Sequence, residues 1–191
     1  ELSGDQLVSG GALYALPLAG DGERKPIVVL RSESQLGGSS ISPDSRFLSY
    51  ASNQSGKFEN YVRPFDPSAG AESDKAAAGL WLMFADGVNS PIFWRRDGKE
   101  MYYVAADRGV MVVEVSTAPT FKFGKPKLLF RPPEGIPTGT GSVSRDGQRF
   151  VIPVPPAPTL GQITVFDRQG KVLSKVGEPC RCGDPALSPD G

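Results

Sequence analysis

The sequence predicts an all-β chain built from repeated four-stranded sheets, the blades of a β-propeller, and three observations carry that prediction. Glycine (23) and proline (18) make up about a fifth of the 191 residues, a content that rules out helical bundles and suits a turn-rich β chain. One turn signal occurs four times, as Ser42-Pro43-Asp44-Ser45, Arg95-Arg96-Asp97-Gly98, Ser144-Arg145-Asp146-Gly147 and Ser188-Pro189-Asp190-Gly191, with its aspartates 53, 49 and 44 residues apart. A period in the forties to low fifties is the length of one propeller blade. The third observation is the patterning around each copy. Apolar Ile41, Trp94, Val143 and Leu187 stand three positions before the aspartates, and Leu48 and Tyr50, Met101 and Tyr103, Phe150 and Ile152 stand four and six after. Alternation on both sides of a tight turn marks a hairpin with one buried face.

The strands follow in chain order. Gln6–Ser9, Ala12–Pro17 and Lys25–Leu30 read as the second, third and fourth strands of a blade lacking its first. The next blade takes residues 38–42, 46–51, 59–65 and 79–84, and the one after it 90–94, 99–104, 109–115 and 126–130. The last whole blade takes 140–144, 148–154, 161–166 and 171–176, and Pro185–Ser188 supplies one further first strand. In the turns, Asp-Gly pairs provide positive φ and a side chain that bonds the backbone two residues on, so these aspartates are turn formers. The segment Asp66–Gly79, small and polar, is expected to be the least ordered. Residues 131–141, rich in proline and glycine, join two blades, and Pro153–Pro158 stiffens the connection inside the last one.

These strands form one domain over 1–191, with blades at about 1–34 together with 184–191, then 35–87, 88–135 and 136–183. Four blade equivalents result only if the two chain ends share a blade, a pairing that hides free sheet edges. A monomeric four-blade closure satisfies this, and so does a homodimer exchanging terminal strands, which avoids the tight curvature of a four-bladed ring. The ending on a turn motif also fits a fragment of a larger ring.

Composition narrows the function. Twenty-one Lys and Arg offset twenty-one Asp and Glu, so no general attraction to nucleic acid or anionic membrane exists. Histidine is absent, which excludes Ser-His-Asp and Cys-His triads and His-ligated zinc. The longest uncharged apolar run, Ala76–Ala85, is ten residues, half of what a membrane-spanning helix needs. Cys180 and Cys182 are separated by one residue, a spacing that strains an internal disulfide; they read as structural thiols or an intermolecular pair.

Residues 41–66, ISPDSRFLSYASNQSGKFENYVRPFD, carry the Ser-Pro-Asp turn, the Ser55-Gly56 turn and the Tyr61-Val62-Arg63-Pro64-Phe65 strand. This stretch resembles a TolB-like propeller repeat of the WD40-like Pro-Asp type. Residues 91–115, PIFWRRDGKEMYYVAADRGVMVVEV, are similar to the following repeat in bacterial propellers that trail membrane-anchored serine/threonine kinases or stand alone in the envelope. The third repeat departs from the pattern, with Ser-Arg-Asp and a proline-rich insertion. The resemblance implies a non-catalytic scaffold or sensor that binds a protein, peptide or small molecule at the ring's mouth, in the bacterial periplasm or cell exterior. The same fold also hosts hydrolases.

In such a ring the first strand of each blade lines the channel, which nominates Ser39, Asn89, Thr140 and Asp184 as ligand-binding residues, with Ser40, Ser90, Thr138 and Ser142 beside them. That polar, nearly uncharged set suits a small polar ligand or a peptide, with no cofactor. The alternative is a metal-assisted hydrolase of esters, lactones or phosphotriesters, in which Asp86, Asn89, Glu134 and Asp184 hold calcium or zinc and activate water. Trp94, Arg95, Arg96 and Lys99 form one basic patch, read as a core tryptophan among solvated turn charges.

Overall fold

The computed structural model describes residues 10–16, 25–66, 72–73, 79–84, 92–132, 142–154 and 161–180. Every regular element among them is a strand. The first sheet holds β1 (Gly11–Ala15) and β2 (Ile27–Ser32); the second holds β3 (Leu36–Ile41), β4 (Phe47–Ser52) and β5 (Glu59–Pro64). Between β5 and β7 (Trp81–Phe84), which completes the second sheet, lies the two-residue β6 (Glu72–Ser73). The third sheet comprises β8 (Phe93–Trp94), β9 (Glu100–Val104), β10 (Val110–Ser116), β11 (Lys122–Phe123) and β12 (Lys127–Phe130), and the fourth β13 (Ser142–Val143), β14 (Arg149–Val154), β15 (Gly161–Asp167) and β16 (Val172–Cys180). The second and fourth sheets are antiparallel meanders in chain order, β3-β4-β5-β7 and β13-β14-β15-β16.

Among the described residues, the strands of the second, third and fourth sheets lie at or near the ranges predicted for the three whole blades. Two details differ. β6 lies within the segment expected to be least ordered, yet it pairs in parallel with Leu30 and Arg31 of β2, covering backbone groups that an edge strand would otherwise leave open. In the third sheet one edge of β10 is shared, by β12 at Val110–Val112 and by β11 at Val115–Ser116. Gln6–Ser9, Pro185–Ser188, the fourth turn copy and Cys182 lie outside the described residues.

The repeated turns show why one motif tolerates different residues. In the first, the Ser42 hydroxyl donates to Asp44 Oδ1 at 2.6 Å and accepts from the Phe47 amide at 2.9 Å. The third repeats this, Ser144 donating to Asp146 and accepting from the Arg149 amide at 3.0 Å. In the second, Arg95 replaces the serine and its guanidinium grips Asp97 at 2.7 and 2.6 Å. Position four needs positive φ in all three: Gly98 at 70°, Gly147 at 71° and, without a glycine, Ser45 at 58°.

Alternation along the strands then divides the core among the sheet-to-sheet faces. Leu48 and Tyr50 of β4 point to the first sheet, where they join Val29, Leu30 and Tyr61. Phe47 points the other way, into a cluster with Trp94, Met101, Tyr103, Val113 and Phe121. On β9, Tyr102 lies between its two neighbours but faces the fourth sheet, packing with Phe130, Phe150 and Phe166. A strand buried on both faces is the condition for stacking sheets side by side, and β4 is buried along its whole length. The first strands gather together, β3 beside β8 and β8 beside β13.

Candidate functional site

Ser39, the one nominated ligand-binding residue within the described set, lies on β3. The β3–β4 register passes from Gly37 opposite Ala51 to Ser40 opposite Ser49, so Gly38 and Ser39 together oppose Tyr50 alone. This is a β-bulge, and Gly38 adopts the positive φ of 26° there. Bulges re-aim the side chains that follow them. Here they bring Ser39 and Ser40 to the lip of a cavity of about 300 Å³ between the first two sheets.

The cavity is walled by Leu13 and Ala15 of β1, Val29 of β2 and Leu48 of β4, with Phe65 just past β5. Tyr14 and Ile41 also border it, and both are large side chains left exposed, at 60% and 45%. The Ser40 carbonyl accepts from the Ser49 hydroxyl at 3.1 Å, which fixes the strand beneath. Neither the Ser39 nor the Ser40 hydroxyl makes a hydrogen bond among the described residues. The site offers an apolar concavity bordered by Ser39, Ser40 and Tyr14, with no carboxylate, ammonium or guanidinium group in its lining.

Asn89, Thr140, Asp184, Asp86 and Glu134 lie outside the described residues, as do Ser90 and Thr138. Ser142 is half-buried in β13, opposite Val151. No group of three or more Asp, Glu, Cys or His residues is close enough to hold a metal ion among the described residues. The turn aspartates are committed locally. The Asp97 carboxyl is held below its ordinary range first by the Arg95 guanidinium, and that of Asp146 first by the Ser144 hydroxyl. In the basic patch, Trp94 is buried and its indole Nε1 donates to Ser49 Oγ at 3.2 Å.

Sequence reasoning missed a polar cluster between the third and fourth sheets. Glu100 accepts from Tyr102 Oη at 2.5 Å, from Arg168 at 3.1 Å and, as an ion pair, from Arg95 at 3.0 Å. Arg168 also donates to the Gly147 carbonyl at 2.9 Å. A Cβ on Gly147 would stand 2.6 Å from Tyr102 Oη, so this glycine is required by close approach as well as by φ. Burial, followed by the hydrogen bond to Glu100, pushes the Tyr102 phenol up to about 12. Burial would raise the Glu100 carboxyl, but the Tyr102 and Arg168 hydrogen bonds outweigh it and leave the group below its ordinary value. The signal in the sequence was the Glu-x-Tyr spacing on one strand face, which recurs as Glu59 and Tyr61, joined at 2.6 Å.

No family model matches the chain, and no curated protein matches it. Solved structures do. A putative 6-phosphogluconolactonase from Bacteroides fragilis superposes with a TM-score of 0.54 at 17% identity, covering 94% of this chain and 55% of that one. An oligogalacturonate lyase from Vibrio parahaemolyticus gives 0.52 at 12% identity, covering 84% and 46%. TolB from Acinetobacter baumannii also matches, at 0.46 and 16% identity, covering 94% and 52%. The chain thus spans about half the length of these structures. With four consecutive sheets stacked face to face and a backbone that superposes on these structures, the chain has the blade architecture of a β-propeller.

Proposed function

We propose that this chain is a non-catalytic binding module that takes a peptide, a protein segment or a small ligand at the first strand of its second sheet. The observation that carries this reading is the β3 bulge, which sets Ser39 and Ser40 at the lip of a walled cavity. Sites of this form, an apolar concavity with a few placed polar groups, are the usual form of a ligand pocket. Asp97 and Asp146 are bound into turns, and Glu100 is held by Tyr102 and Arg168. Resemblance to envelope propellers supports a periplasmic or extracellular setting. Among the described residues no helix is long and apolar enough to cross a membrane.

A screen of fragments and short peptides against the wild-type chain and Ser39→Trp tests the reading. Binders should lose at least tenfold in affinity in the variant, which puts a larger side chain on a lining position. Binders indifferent to the substitution overturn the placement. Turnover of an ester, lactone or phosphotriester that chelator abolishes overturns the non-catalytic part. A homodimer is also proposed, supported by Val172, Leu173 and Val176, which leave apolar side chains 41–51% exposed on the outermost strand β16. Light scattering that finds a monomer at every concentration removes it.

A further inference from the structure

Resting on that binding reading, we infer that the cavity between the first two sheets selects an uncharged, partly apolar small molecule bearing a hydroxyl or carbonyl. Volume sets the size. A cavity of about 300 Å³ stands at the lower end of the range for small-molecule pockets. That is the scale of a single substituted ring.

The lining sets the charge. Leu13, Ala15, Val29, Leu48 and Phe65 present hydrocarbon, and the other lining groups are the Ser39 and Ser40 hydroxyls, Tyr14 and Ile41. None is a carboxylate, ammonium or guanidinium group. An anion or cation entering this space surrenders hydration to walls that return no opposite charge. A neutral ring loses little hydration and removes apolar wall from water. The two serines face it from one edge. Each hydroxyl is both donor and acceptor, so a hydroxyl or carbonyl on the ligand finds a partner at that edge, while a polar group placed against the hydrocarbon walls does not.

The rim agrees with the walls. Tyr14 is 60% exposed and Ile41 45% exposed, on adjacent sheets and bordering the same opening. They extend the apolar surface outward, so a ring can pass from solvent to wall without crossing a charged gate. Nothing in this chemistry requires a metal or a cofactor, and no bond is made or broken.

The test is an amide chemical-shift titration of the whole chain with benzyl alcohol, benzoate and benzylamine. These probes share a ring and differ in charge. Benzyl alcohol is expected to shift the amides of Ala15, Ser39, Ser40, Ile41 and Leu48 in a saturable way, with benzoate and benzylamine at least tenfold weaker. Ala15→Leu and Ser39→Trp, which put larger side chains on two lining positions, should each weaken the alcohol at least tenfold; the second, at an exposed position, serves if the first does not fold. Equal binding of the charged probes overturns the charge selection and leaves the binding reading standing. Shifts confined to other residues, or none with any of the three, overturn the cavity as the ligand's seat. The peptide and fragment screen with Ser39→Trp then decides the broader reading separately.

Discussion

The two faces of the second sheet are packed differently, although the same strands supply both. Toward the third sheet the face is filled by interlocking rings. Phe121 lies 5.2 Å from Phe47 and 5.0 Å from Trp81, and Phe84 stacks on Tyr103 at 3.7 Å between centroids. Toward the first sheet, Tyr50 and Tyr61 stack at 5.8 Å, but β3 contributes Gly37, Gly38, Ser39 and Ser40, and β1 contributes Ala15. Short side chains on facing strands leave a concavity where rings would close it. Both faces hold sheets together, but the one toward the first sheet also leaves a cavity beside its core.

Truncation on each face is the sharpest way to break that comparison. Phe121→Ala should cost about 3–5 kcal/mol, because four rings lose a central partner and the surroundings cannot collapse into the gap. Leu48→Ala, beside an existing cavity, should cost about 2 kcal/mol, the low end for such a change. Urea denaturation measures both. Equal losses would mean that the two faces are equally tight.

A second contrast sets the polar contact between the third and fourth sheets against these apolar ones. Glu100→Gln should destabilise the chain by about 1–3 kcal/mol, since Arg95 and Arg168 lose a shared carboxylate. Its pH dependence identifies the cause. The folded carboxyl sits below its ordinary value, so its contribution is fully present above the unfolded pKa and is lost as pH falls through the folded one. The difference in stability between wild type and Glu100→Gln should therefore shrink with acidification below the normal carboxylate range. A pH-independent difference would indicate a packing effect instead.

The smallest expected effect on stability is at the candidate site. Ser39→Ala should change stability by less than about 0.5 kcal/mol, because the side chain is exposed and unengaged. A loss of several kcal/mol in thermal unfolding would make Ser39 a structural residue and would move the proposed binding edge elsewhere on β3.

Much of the fold was legible because its signals are local. The turn at Asp97 needs only its own neighbours. The alternation at Met101 and Tyr103 was read as one buried face, whereas Tyr102 between them is buried against the fourth sheet, so β9 is buried on both faces. The site was legible only in part. Ser39 could be nominated as a first-strand residue, but the cavity depends on Leu13 and Phe65, far away in the chain, meeting across a sheet boundary. Arg168 reaches Glu100 across 68 positions, and no periodicity records such a contact. The pairing of β6 with β2 escaped for the same reason, since two polar residues show no strand pattern until an edge is placed beside them.

By itself, the sequence determined the blade period, the strand alternation, the turn chemistry and the exclusion of histidine-based catalysis, because each follows from residue type and spacing along the chain. Tertiary structure alone decided which face is filled and which is hollow, and which carboxylate gathers two arginines. Those outcomes depend on side-chain volumes and charges summed across neighbouring sheets, a quantity that no single strand contains.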